Sequence, residues 1–331
     1  MKNHSSTDAS DRRDADTHDN PDPTPVCKKG RLFSHMNGSA VILVGACLLG
    51  TIPLFARPLH GEGIPTAVIS AVRMGFSWFL AMSMVGWSRM NLLACDKEER
   101  NALLVLGTIG SGLTSVFYTA SLKYTTIAIA IVVVFCAVPI TTYVIDRVYR
   151  RFRSMHLLCL GLVILGFAAL SWDKFLLGGS RKISEHLLGI LLGVLTGICF
   201  GTYAPFGKKL IALKTPVILF WAFGIGFLCH FPLLWCMQGH CPPWTRSTVL
   251  NLVGLGLFGC FLPYLLIQIG MKSNSISVMQ VSMLFLLEPV ISVIVGCHFC
   301  EYLSVLNMLG VALVLVSIFI YQFQEKKECV R

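Results

Sequence analysis

From residue 39 onward the chain is a succession of long apolar runs broken by short polar connectors. The runs fall near 39–56, 65–87, 102–122, 125–145, 155–172, 187–206, 215–236, 248–271, 276–299 and 303–323. Each is close to the roughly twenty residues that a helix needs to cross a bilayer. They are continuous rather than alternating, which excludes barrel strands, and an isolated strand in lipid would leave its backbone groups unpaired. The pattern predicts an all-α polytopic membrane protein with ten transmembrane helices.

The runs repeat. Across an offset of 152, Gly45 answers Gly197, Cys47 answers Cys199 and Pro53 answers Pro205. A second register, offset by 149, pairs Gly107 with Gly256, Lys123 with Lys272 and Gly161 with Gly310, while Pro139 and Pro289 pair at 150. Two halves of five helices each are therefore expected, over 39–172 and 187–323. Because five is odd, the second half starts from the opposite side of the membrane, so the two repeats are inverted.

Composition agrees with burial in lipid, since 55% of residues are hydrophobic and only 13% are charged. The polar residues concentrate outside the runs. Residues 1–38 carry six Asp, six Lys or Arg and three Pro with almost no aliphatic residue before Val26, and read as a disordered cytoplasmic tail. No apolar stretch follows the basic start until Ala40, so the first run reads as a retained span rather than a cleaved signal. Residues 324–331 form a second short cytoplasmic tail.

With the N-terminus inside, 20 basic residues fall on the cytoplasmic face and six on the exterior face. The expectation is a multi-pass protein of the inner (cytoplasmic) membrane with both termini cytoplasmic. The net charge of +10 is then explained by topology and by attraction to anionic lipid, and no clustered basic and aromatic surface points to nucleic acid. Inversion also explains a contrast between equivalent loops. Asp146-Arg147-Val148-Tyr149-Arg150-Arg151 follows the fourth run and is basic, whereas Cys297-His298-Phe299-Cys300-Glu301 follows the ninth and has no Lys or Arg.

Candidate chemistry lies inside the runs. Glu288 is about twelve residues into the ninth, about 18 Å deep at 1.5 Å per residue, and Arg73 is about nine residues into the second, about 13 Å deep. Placing either charge there costs about 2.5 to 3.5 kcal/mol, so each needs a cavity or a partner. Glu288 reads as a site for a coupling proton or substrate, or as a carboxyl hydrogen-bonded between helices. Arg73 has three readings: a partner of Glu288, a fork for a substrate carboxylate or phosphate, or a snorkelling side chain. Pro139 and Pro289 each lack an amide hydrogen and clash with the carbonyl four residues earlier, so both fourth runs are expected to kink at mid-depth.

Tyr118, Tyr203, Trp221, Tyr264, Gln268 and Gln280 supply polar and aromatic groups for a small-molecule pocket. Gly189, Gly193, Gly197 and Gly201 form a smooth ridge at intervals of four, which suits static packing, sliding between halves or a homodimer contact. Most of the 13 cysteines sit singly in apolar runs and behave as small hydrophobes. The exterior Cys236, His240, Cys241, Cys297, His298 and Cys300 could hold zinc or copper or form a disulfide, but they match no standard zinc spacing, and no metal or other cofactor is expected.

No H-E-x-x-H, G-x-S-x-G or G-x-x-x-x-G-K-[ST] is present, so an enzyme or an ATP-driven pump is not expected. In the ninth run, Leu286-Leu287-Glu288-Pro289-Val290 is followed by Cys300-Glu301 and Gly310. This stretch, with Arg73 in the second run, resembles the drug/metabolite transporter superfamily, specifically proteins with two EamA-type domains. The resemblance covers 39–323. The first half departs from it, with Val138 before Pro139 where an acid often stands and Arg151 where a glutamate often ends the repeat. The resemblance implies ten helices in two inverted halves and a secondary transporter working by alternating access. Its expected cargo is a small polar or amphipathic metabolite, such as an amino acid or a related compound. A non-transporting membrane subunit or scaffold is the alternative, and the mid-depth charges argue against it.

Overall fold

Continuous apolar sequence becomes helix wherever the chain is described. The computed structural model describes residues 38–92, 95–124, 127–147, 158–159, 161–166, 168–169, 183–235, 243–273, 276–298 and 305–329, and among these all regular structure is helical. Six helices are long and apolar enough to cross a membrane: Gly38–Gly61, Thr66–Trp87, Lys97–Tyr118, Leu187–Lys209, Thr215–Trp235 and Arg246–Met271. Shorter apolar helices occupy Val133–Ile145, Val278–Ser292 and Met308–Tyr321. The fifth expected span is described only in part, and it packs on the tenth, where Ser317 Oγ donates to Cys159 O at 2.8 Å. The expected tail over 1–37 lies outside the described residues.

Local signals set the helix starts. Asp96 opens the third span as a capping box with Glu99, whose Oε2 accepts from Asp96 N at 3.0 Å. At the matching point of the second half Thr245 opens the eighth span, accepting from Thr248 N at 3.1 Å. Ser277 does the same for the ninth by accepting from Gln280 N at 3.1 Å.

The repeat reappears in the irregularities. The first span breaks between Leu49 and Ile52, ahead of Pro53, and the sixth breaks between Gly201 and Tyr203, ahead of Pro205. At each break a threonine bonds one carbonyl with both its backbone N–H and its hydroxyl: Thr51 Oγ1 donates to Leu48 O and Thr202 Oγ1 to Cys199 O, both at 2.7 Å. The third span of each half carries a π-helical stretch, Leu106–Leu113 in one and Leu257–Phe261 in the other.

Contacts between halves come in exchanged pairs. Ser292 Oγ donates to Gly50 O at 3.2 Å, and Thr142 Oγ1 donates to Gly201 O at 2.9 Å. A Cβ added at Gly50 would meet Glu288 O at 2.9 Å, and one added at Gly201 would meet Val138 O at 2.8 Å. Each broken first-type span thus seats its glycine on the fourth-type span of the opposite half. The structure separates the two prolines on those fourth spans. The helix carrying Pro289 is interrupted between Phe285 and Leu287, whereas Ile127–Arg147 runs unbroken through Pro139.

The glycine ridge of the sixth span is used within the chain. A Cβ at Gly193 would touch Val133 and Ser121, one at Gly197 would collide with Val134 O, and one at Gly201 would press on Thr141. Ser121 Oγ also donates to Gly189 O at 3.0 Å. The ridge is therefore the seat of the third and fourth spans, and this face is taken up by packing.

Connector contacts join segments that the charge count assigns to one side. Trp221 Nε1 donates to Leu92 O at 3.2 Å, Gln280 Nε2 to Ser39 Oγ at 3.3 Å and Lys272 Nζ to Leu213 O at 2.7 Å, all on the side expected to be cytoplasmic. On the opposite side Glu62 accepts from the Thr248 hydroxyl.

Candidate functional site

Arg73 lies in the helix Thr66–Trp87, one turn before Ser77. The Ser77 hydroxyl is shared between Arg73 O at 2.8 Å and Gly256 O at 3.1 Å, which ties the second span to the eighth just ahead of its π-helical stretch. A π turn carries one more residue than an α turn, and this bulge sets Cys260 within electrostatic reach of Arg73. Glu288 starts the helix Leu287–His298, immediately beyond the break in the ninth span.

The guanidinium and the carboxylate act on each other electrostatically. Both also act on the phenols of Tyr118 and Tyr264. Four spans, the second, third, eighth and ninth, thus bring one cation, one acid and two phenols to one place. All four side chains keep some accessible surface, whereas Met74, Leu286 and Val290 beside them are buried. Together they form the candidate site.

Among the described residues Arg73 and Glu288 make no direct ion pair, and Arg73 Nε is buried with no hydrogen-bond partner. A buried donor left unmade costs about 1–3 kcal/mol, more when charged, unless a ligand meets it.

His230, in the seventh span, adds a wall that the sequence did not signal. Its Nδ1 lies 2.9 Å from Gly226 O and its Nε2 lies 3.0 Å from Ser115 Oγ. A carbonyl only accepts, so Nδ1 carries the proton, and in the neutral ring Nε2 accepts from the Ser115 hydroxyl. His230 lies within electrostatic reach of Arg73.

The other sequence candidates separate. Tyr203 and Gln268 are buried, with Gln268 Nε2 donating to Tyr203 OH at 3.0 Å. The Tyr203 ring packs against Tyr264 with centroids 5.0 Å apart, so this pair stands behind Tyr264. Trp221 and Gln280 sit at the connector ends of their spans, bonded to Leu92 and Ser39, and do not join the cluster. Cys236, His240, Cys241, Cys300 and the side chains of Cys297 and His298 lie outside the described residues. His230, Ser115, Ser77 and Cys260 join the cluster without any sequence signal, because an isolated polar residue or cysteine in an apolar run looks the same wherever it faces.

The EamA-like transporter family matches the chain twice, over 36–172 and 187–322. The chain belongs to the EamA-like transporter family. The family is one of transporters. This EamA-family chain is 24% identical over 289 residues to a protein of Archaeoglobus fulgidus described as an uncharacterized transporter, covering 86% of this chain and 95% of that one. A second uncharacterized transporter of the same organism is 27% identical over 228 residues, covering 66% and 76%. The fold is shared with a protein of known crystal structure at a TM-score of 0.70 and 16% identity, over 88% of this chain and 98% of that one.

Proposed function

We propose that this membrane transporter is a secondary carrier of small zwitterionic metabolites, amino acids and related compounds, and that the Arg73–Glu288 cavity is its binding site. One observation carries the proposal: a guanidinium and a carboxylate lie within electrostatic reach of each other without a direct ion pair, and Arg73 Nε is left without an acceptor. A zwitterion completes both groups at once, its carboxylate on the Arg73 fork and its ammonium on Glu288, and leaves the site neutral. A simple anion or cation would satisfy one group and leave the other with unbalanced charge in a cavity walled by apolar residues.

Two inverted halves rocking about this site give alternating access, with both termini on the cytoplasmic side of the inner membrane. When the ammonium departs, Glu288 takes a proton and remains neutral while the empty cavity reorients. That exchange links transport to a proton gradient. The test is counterflow of labelled alanine, leucine and phenylalanine into proteoliposomes, with Glu288→Ala and protein-free vesicles as controls. Label accumulates with the wild type and not with the controls; accumulation equal to that of empty vesicles for every zwitterion tried contradicts the proposal.

A further inference from the structure

We infer that Tyr264 is the residue that sets the size of the apolar group the carrier accepts, and that Tyr203 and Gln268 act behind it as positioning residues. The inference rests on the zwitterion reading of the Arg73–Glu288 cavity and adds what happens to the rest of the substrate.

A continuous aromatic column runs through the bundle beside the charges. Phe200 and Phe285 stack with centroids 5.2 Å apart, Phe285 meets Tyr203 at 6.4 Å, Tyr203 meets Tyr264 at 5.0 Å and Tyr264 meets Phe223 at 5.8 Å. Phe200, Phe285, Tyr203 and Phe223 are buried; Tyr264 alone of these five rings retains accessible surface. Its hydroxyl feels both Arg73 and Glu288. A substrate held by those two charges therefore lays its third substituent against this ring.

The ring cannot retreat. Tyr203 backs it edge to face, and Tyr203 is itself fixed by the hydrogen bond from Gln268 at 3.0 Å. Phe223 closes a second side. Tyr264 also bridges the two largest apolar clusters of the bundle, so a shift of its ring disturbs both. A wall this firmly backed discriminates by volume. In such a pocket one methylene changes discrimination by about 10- to 200-fold.

The test is competition of glycine, alanine, leucine and phenylalanine against one labelled zwitterion in counterflow, for wild type, Tyr264→Ala, Tyr264→Phe and Gln268→Leu. Tyr264→Ala shifts the preference toward the larger side chains by at least about tenfold in the leucine-to-alanine ratio. Tyr264→Phe keeps the wild-type size order, because the ring remains, and it holds the inference testable should the alanine variant fail to fold. Gln268→Leu, which frees Tyr203 OH without touching the cavity, flattens the size order while leaving the Arg73-dependent recognition of the carboxylate intact. The inference is overturned if Tyr264→Ala, folded and active, ranks the four zwitterions as the wild type does. If the wild type carries none of the four, the reading of the site as a zwitterion carrier fails instead.

Discussion

Glu288 on the ninth span and Arg73 on the second lie within electrostatic reach of each other and make no direct ion pair among the described residues. Their separation is what gives the site a role to fill. A closed ion pair would satisfy both charges and leave nothing for a ligand, whereas an open pair holds two opposite charges in place before the ligand arrives.

The open pair has a stability signature. Arg73→Leu or Glu288→Leu alone strands the remaining charge, and each lowers stability by about 1–3 kcal/mol, less than for a broken direct pair because the two groups make no direct contact. The double variant recovers most of that loss. Thermal unfolding of the purified singles and the double checks this; strictly additive losses would show that the two charges do not sense each other.

On the proposed reading, Glu288 alone couples transport to protons. Glu288→Gln keeps the acceptor oxygen and volume but exchanges no proton, so counterflow persists while accumulation driven by a pH gradient disappears. Transport by this variant that still follows the imposed gradient would move the coupling group elsewhere.

The clasp between the first connector and the eighth span gives a pH effect outside the bilayer. Hydrogen bonds from Thr248, then Ser247, hold the Glu62 carboxyl below its ordinary value of 4.5. A depressed carboxyl contributes stability that is present above the ordinary value and is lost as pH falls through the depressed one. Wild-type thermal stability therefore drops more steeply than that of Glu62→Gln as pH is lowered beneath 4.5. Parallel pH curves for the two proteins would show that the clasp contributes nothing.

Close packing at the glycine ridge is tested by volume. A side chain at Gly197 runs into the Val134 carbonyl, whereas a Cβ at Gly161 meets nothing within 4 Å. Gly197→Val costs about 1–3 kcal/mol or more, while Gly161→Ala leaves the melting temperature unchanged or slightly raised. Equal effects of the two substitutions would contradict the contact.

The large features were legible because they follow from the solvent. Runs of apolar residues specify helices in lipid, and the offsets pairing Pro53 with Pro205 and Gly107 with Gly256 located the repeat before any contact was known. Arg73 and Glu288 stood out because charge at mid-depth is expensive. What periodicity could not give was facing. Trp221, Tyr264 and Gln280 look alike in apolar sequence, yet only Tyr264 reaches the charges, since rotation about a helix axis is set by neighbouring spans. The two prolines also looked equivalent, but only the helix around Pro289 is interrupted, and Glu288 lies at that interruption. The π-helical stretches have no residue signature beyond their glycines, because a π turn is selected by the packing it relieves.

The central claim, that Arg73 holds the substrate carboxylate and Glu288 its ammonium, is tested most directly by truncating ligand and protein together. Affinities of a zwitterion, its amide lacking the carboxylate charge and its deaminated acid are measured against purified wild type, Arg73→Lys and Glu288→Gln. In the wild type each truncation weakens binding by about 10- to 100-fold, as expected for a charge-assisted hydrogen bond of about 1.5–3 kcal/mol. The account predicts that the amide is indifferent to Arg73→Lys, and the deaminated acid to Glu288→Gln, while each crossed combination loses further affinity. Additive losses in all four combinations would contradict the assignment of these two residues to the two ends of the substrate.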